Sequence, residues 1–210
     1  CTFHNMNIFY IKLGILLIGF IQAGLLPYFI QKALKHVNLD LDKQTLSFLS
    51  NKDLYGKRFV KGYKRLLFTT AILTYLFFWF LSEYYELGEY NKLMKYIDLG
   101  FVSLALLAFV PHNLKPYSLR NLSLFLQRTL HNLLAVVVFL SLPALIITFQ
   151  IVILPESMFL GIFGLAIIGV TVFLVALSIL KNGVNGATEL LFINGISLWT
   201  IFVTMTTFLS

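Results

Sequence analysis

Long apolar runs alternate with short polar gaps, and this alternation restricts the fold more than any other feature of the chain. The apolar runs cover residues 8–30, 66–85, 94–110, 129–154, 157–180 and 184–209. A helix crossing the hydrocarbon core of a bilayer needs about 20 predominantly apolar residues. Each run is therefore read as one span. The chain reads as an all-α, polytopic transmembrane helical bundle of about six spans in one domain, with residues 31–65 as its basic loop. Only 12% of the 210 residues are charged and 59% are hydrophobic, with a mean hydropathy of +0.85. A soluble domain carries about 25% charged residues. So few charges cannot cover a water-facing surface, and six spans leave no length for a separate soluble domain.

Local breaks refine the spans. Lys12 and Gln22 interrupt the first, and Pro27 in its last turns is a candidate kink, as is Pro143 in the fourth. Ser118 or Ser123 is a candidate N-cap for a longer fourth helix. Lys181-Asn182-Gly183 predicts a tight turn before the sixth. Gly161, Gly164 and Gly169 read as notches for helix packing. Trp79 and Trp199 read as interfacial anchors, with Trp79 equally suited to packing inside the bundle.

The net charge of +7 arises from 16 Lys+Arg against 9 Asp+Glu. Nine of the basic residues fall in the first gap, while Lys115, Arg120 and Arg128 fall in the third and Lys181 in the fifth. The second gap holds only Lys92 and Lys95, and the fourth holds none. The positive-inside rule then places the odd-numbered loops in the cytoplasm and both termini outside, in an arrangement suited to a bacterial inner (plasma) membrane. No nucleic-acid motif accompanies the charge. The expected partners are membrane lipids with anionic headgroups and other membrane-protein chains, not nucleic acid. Between Asp53 and Arg65, Tyr55, Phe59 and Tyr63 recur every fourth residue, while Lys57, Arg58, Lys61, Lys64 and Arg65 occupy other faces. This predicts a short basic amphipathic helix on the membrane surface leading into the second span, although Gly56 and Gly62 weaken it. The five cations are the candidate contacts for anionic lipid.

The polar residues inside the spans are few. His131 and Asn132 open the fourth span and Glu189 opens the sixth, at similar depth because both spans enter from the same side. Arg120, Gln127 and His131 share one helix face, with Arg128 and Asn132 on a neighbouring stripe. A Glu–His pair there would serve as general acid and base, proton shuttle or headgroup contact. The structural alternative is an interhelical hydrogen bond, about 0.6 kcal/mol on average in membrane proteins. His112, after Pro111, reads as a solvated loop residue, and His4 and His36 lack partner spacing. With His131 the single fair axial ligand, haem is not expected. No HExxH, paired Glu-x-x-His, CxxC, nucleophile elbow, P-loop or dinucleotide fingerprint occurs, so neither a metal nor a cofactor is expected, and the balance lies toward a non-enzyme with a His131/Glu189 enzyme or carrier as the alternative. Glu83, Tyr84, Tyr85 and Glu86, with Asp98 and Gln150 at similar depth, read as a solvated face beside an aromatic belt. Cys1 is the one cysteine, which excludes disulfides and Cys-based metal sites within the chain. It is either a lipidated residue of a mature lipoprotein or the start of a fragment.

Phe109-Val110-Pro111-His112, the basic run that follows, and Leu130-His131-Asn132-Leu133-Leu134-Ala135 with Phe139 resemble the six-span family of the damage-regulated autophagy modulators and its prokaryotic relatives. Ala187-Thr188-Glu189-Leu190-Leu191 and the long first loop agree with that layout. The resemblance implies a His opening the fourth span, an acidic residue opening the sixth, and a non-enzymatic role in lipid organisation or trafficking. Three functions follow from the sequence: a non-catalytic scaffold or regulator touching lipid through its basic loop; a membrane enzyme or carrier with a His131/Glu189 cleft for a lipid-like substrate; and a subunit of a larger membrane complex.

Overall fold

The computed structural model describes residues 2–110 and 122–210. Among these the chain forms six long helices and no strand: α1 (Thr2–Leu34), α2 (Lys52–Tyr84), α3 (Asn91–Phe109), α4 (Leu122–Ile153), α5 (Met158–Asn182) and α6 (Gly186–Leu209). Short 3-10 turns at Leu46–Ser50 and Leu87–Glu89 punctuate the connections. Helices α1, α2, α4, α5 and α6 are long and apolar enough to cross a membrane. The protein is a multi-pass helical membrane protein. Helix α3 falls short of that class because Lys92, Lys95 and Asp98 lie in its first turns. Its 19 residues reach about 28 Å at 1.5 Å per residue. The expectations placed on Cys1, Pro111, His112, Lys115, Ser118 and Arg120 lie outside the described residues.

The amphipathic segment expected before the second span is not a separate element. Only Gly56 departs from helical geometry inside α2, with φ 78 and ψ 167, a conformation that side chains rarely adopt. From Lys57 the helix runs on to Tyr84. No proline intervenes, and once nucleated a helix gains one hydrogen bond per residue added. Gly62, at roughly 1 kcal/mol against alanine, does not stop it. This stretch is about 42 Å long, more than the hydrocarbon core of about 30 Å. Its basic start therefore extends toward the headgroups.

Each helix packs on its neighbours in sequence, and α6 closes the ring against α1. At one end, the Lys12 ammonium lies 5.4 Å from the Tyr84 ring centre, and the Tyr84 and Tyr85 hydroxyls meet Ser210 at 3.2 Å and Thr207 at 2.9 Å. At the other end, the loop after α1 docks on the start of α6, and Lys64 sits 4.1 Å from the centre of the Phe109 ring at the end of α3.

In lipid, helices gain little from apolar burial against one another, so close packing and internal hydrogen bonds hold the bundle. Its centre is an aromatic cluster. Trp199 stacks on Phe78 at 5.6 Å and meets Phe77 and Phe149 edge-on. Trp199 is 0% exposed, which corrects the reading of it as an interfacial anchor. Its indole N–H donates to the Gln150 side-chain oxygen at 2.7 Å, and the Gln150 nitrogen donates to the Leu160 carbonyl at 3.0 Å, with the amide oriented to satisfy both. A partner inside the bundle removes the penalty for burying the indole nitrogen. Trp79, in contrast, is 40% exposed on the outer surface. A methyl group added to Gly164 would collide with Gln150, one on Gly161 with Leu154, and one on Gly195 with Thr171. Gly161 and Gly164 are therefore packing notches. Gly169 is not, since nothing approaches it.

Candidate functional site

The polar residues singled out in the sequence gather at the basic end of the bundle, with partners that are mostly backbone. Helix α6 begins at Asn185, whose side chain accepts from the Thr188 N–H at 2.9 Å. The next two orphan donors, Gly186 N–H and Ala187 N–H, give their hydrogen bonds to the Gln44 and Leu41 carbonyls at 2.7 and 3.1 Å. The Asn185 amide donates to the Asp42 carbonyl at 3.1 Å. A helix start carries unsatisfied N–H groups and partial positive charge, and here the first loop supplies carbonyls to it. Glu189 completes the joint by accepting from the Leu46 N–H. The long polar gap is thus a docked segment, with Leu46 and Leu49 buried beneath it.

His131 is 3% exposed. Its Nδ1–H donates to the Val110 carbonyl at 2.6 Å. Val110 follows the last residue of α3 and precedes Pro111, so this imidazole satisfies a carbonyl at a helix end. Gln127 and Arg128 are half-buried, and Asn132 is exposed. The structure therefore gives these hydrogen bonds of His131 and Glu189 to two different backbone groups. Helices α4 and α6 nevertheless touch further along both helices, where Phe139 stacks on Phe192 at 4.5 Å. The Glu189 carboxylate instead lies within electrostatic reach of the Tyr63 hydroxyl. At the far end Glu83, Glu86 and Asp98 are exposed, whereas Gln150 is buried at the centre. Among the described residues no three His, Cys, Asp or Glu side chains converge as a metal site requires.

The start of α2 divides into two stripes. Arg58, Gly62, Arg65, Leu66 and Thr69 line a cavity of about 650 Å³ facing α1, with Tyr63 and Phe59 beside them. Lys57, Lys61 and Lys64 share another face, where Lys64 lies over Phe109. All five cations are exposed. Across the cavity α1 contributes Leu25, Phe29 and Lys32 at helical spacing, and His36 follows in the turn just past its end. His36 is anchored by an Nδ1–H bond to the Lys32 carbonyl at 2.9 Å. Leu49 of the docked loop completes the wall, so the Glu189 joint and the cavity share one segment. Among the described residues the single ion pair is Lys43 with Asp40 at 3.2 Å. Its hydrogen bond holds the Asp40 carboxyl below the usual range.

No protein-family model, no curated protein and no solved structure matches this chain.

Sequence reasoning missed the cavity because its walls come from two helices. The stripe Leu25, Phe29, Lys32, His36 was legible, but nothing local says which face of α2 it meets. It also missed Asn185, although an Asn just before Thr188 and Glu189 is an N-cap pattern.

Proposed function

We propose that this membrane protein is a non-catalytic, lipid-engaging component of the bilayer that contacts anionic headgroups through the basic first turns of α2. One observation carries the reading: Lys57, Arg58, Lys61, Lys64 and Arg65 are all exposed at the interface end of a membrane-crossing helix, and among the described residues none pairs with a carboxylate. Each such cation near an anionic surface contributes about 1 kcal/mol, attenuated by salt. The residues that resemble the damage-regulated autophagy modulators imply the same direction, lipid organisation without chemistry. The alternative of an enzyme or carrier using a His131/Glu189 cleft has less support, because each of those side chains holds a backbone group at a helix end.

The test is lipid retention by the detergent-purified chain offered phosphatidylglycerol and phosphatidylcholine. Preferential, salt-sensitive retention of phosphatidylglycerol is expected, and changing all five cations to Gln should abolish the preference. Equal retention of both lipids at low and high salt would overturn the reading.

A further inference from the structure

The cavity between α1 and α2 has a gradient of chemistry along its depth. Two contacts set the register of these antiparallel helices: Lys12 lies over Tyr84, and Gln22 donates to the Thr74 hydroxyl at 3.2 Å. Ten residues separate the contact points on α1, and ten on α2. Continuing that register by the same step brings Lys32 level with Lys64 and Arg65. Arg58 and His36 then lie further toward the headgroups, while Leu25 and Phe29 lie deeper.

The cavity thus carries cations at interfacial depth above an apolar floor. Among the described residues no lining side chain is acidic, and Lys32, Arg58 and Arg65 have no carboxylate partner. Three cations facing one space repel one another, and an anion placed between them removes that repulsion. Guanidinium groups suit phosphate oxygens because of their planar, two-pronged donor geometry. The volume of about 650 Å³ lies in the range of about 300–1,000 Å³ typical of single-ligand sites. Free phosphate would leave the apolar floor unused, whereas a neutral lipid would leave the cations unpaired.

We infer that this cavity holds one anionic phospholipid, its phosphate between Lys32, Arg58 and Arg65 and an acyl chain against Leu25, Phe29 and Leu66. The inference rests on the lipid-engaging reading above and sharpens it from a charged surface to a discrete site. The two stripes of α2 separate the two ideas, because a surface effect draws on both stripes and a site draws on one.

The experiment uses native mass spectrometry of the full chain, purified in detergent and offered phosphatidylglycerol. One tightly held phosphatidylglycerol per chain is expected. Lys32→Gln with Arg65→Gln should weaken its retention about thirty-fold, at roughly a five-fold step per cation, while Lys57→Gln with Lys61→Gln, which remove only surface attraction outside the cavity, should weaken it by less than about five-fold. Gly62→Leu tests the cavity without altering charge. A Cβ at Gly62 meets nothing within 4 Å, and replacing a helical glycine favours the helix, so this variant folds while filling the space. It should release the lipid. Glycerophosphate, the headgroup without chains, should fail to displace it.

Equal weakening by the two charge pairs, with Gly62→Leu silent, would leave the surface reading standing and overturn the site. Displacement by glycerophosphate would show a bare phosphate site and overturn the lipid assignment. Absence of any preference for phosphatidylglycerol in the unmodified chain would overturn both readings.

Discussion

The Glu189 carboxylate accepts a hydrogen bond from the backbone N–H of Leu46, a residue 143 positions earlier in the chain. This contact, with the Leu41 and Gln44 carbonyls on the start of α6, joins the first loop to the last helix. It also positions Leu49 on the cavity wall. Removing the acceptor should therefore loosen the loop without unfolding the bundle. A hydrogen bond to a charged group contributes about 1.5–3 kcal/mol. Glu189→Ala should speed amide exchange at Leu46 by roughly ten- to hundred-fold, with Glu189→Gln between it and the unmodified chain. Exchange measured by mass spectrometry in detergent checks this, and an unchanged Leu46 amide would contradict the joint.

Gly164 and Gln150 should behave as a coupled pair. An alanine at Gly164 collides with the Gln150 amide, so Gly164→Ala should destabilise by about 1–3 kcal/mol through overpacking. Gln150→Ala opens that space and loses the bridge to Trp199 and Leu160. The double variant should be more stable than the sum of the single effects predicts. Thermal unfolding in detergent, followed by the fluorescence of buried Trp199, measures the coupling.

Tyr85 should impose an alkaline limit on stability. Burial is the main cause that pushes its phenol up to about 12, with the neighbouring Tyr84 and Glu156 adding to it and the Thr207 hydrogen bond opposing. The folded value lies above the ordinary value of about 10, so the fold favours the protonated phenol. That contribution is complete below about pH 10 and is lost as pH rises toward 12. Tyr85→Phe should cost about 0.6 kcal/mol at neutral pH through the lost interhelical bond, yet lose less stability than the unmodified chain across the alkaline window. Melting temperatures taken over that window provide the check.

His131→Phe should separate a structural from a chemical role. It removes the donor to Val110 and should lower stability by roughly 0.6–2 kcal/mol, the range for interhelical hydrogen bonds in membranes. Retention of phosphatidylglycerol should not change, since His131 does not line the cavity. A selective loss of lipid with unaltered melting would instead place His131 in the binding machinery.

Much of the fold is legible locally. Apolar runs of span length predicted the helices, because a membrane helix satisfies its own backbone and needs only a continuous apolar sequence. Elements that depend on distant partners were less legible. Residues 31–65 read as a basic loop because their polarity says only that they do not span. Their docking depends on unsatisfied N–H groups at Gly186 and Ala187, far along the chain. Trp199 read as an anchor because indole suits interfaces, and its burial depends on Gln150 of another helix.

The candidate site divides in the same way. The cations of α2 were named from composition and spacing, since charge beside an apolar run is a local property. The sequence by itself determined a multi-pass helical bundle with a strongly basic first gap, because hydropathy and charge follow directly from residue type. The tertiary structure decided which face of α2 meets α1, that Lys32 joins Arg58 and Arg65 around one cavity, and that Glu189 holds the first loop. Those relations depend on helix rotation and register, which are settled by Gly19 against Thr204 and by Gln22 against Thr74, contacts between residues far apart in the chain.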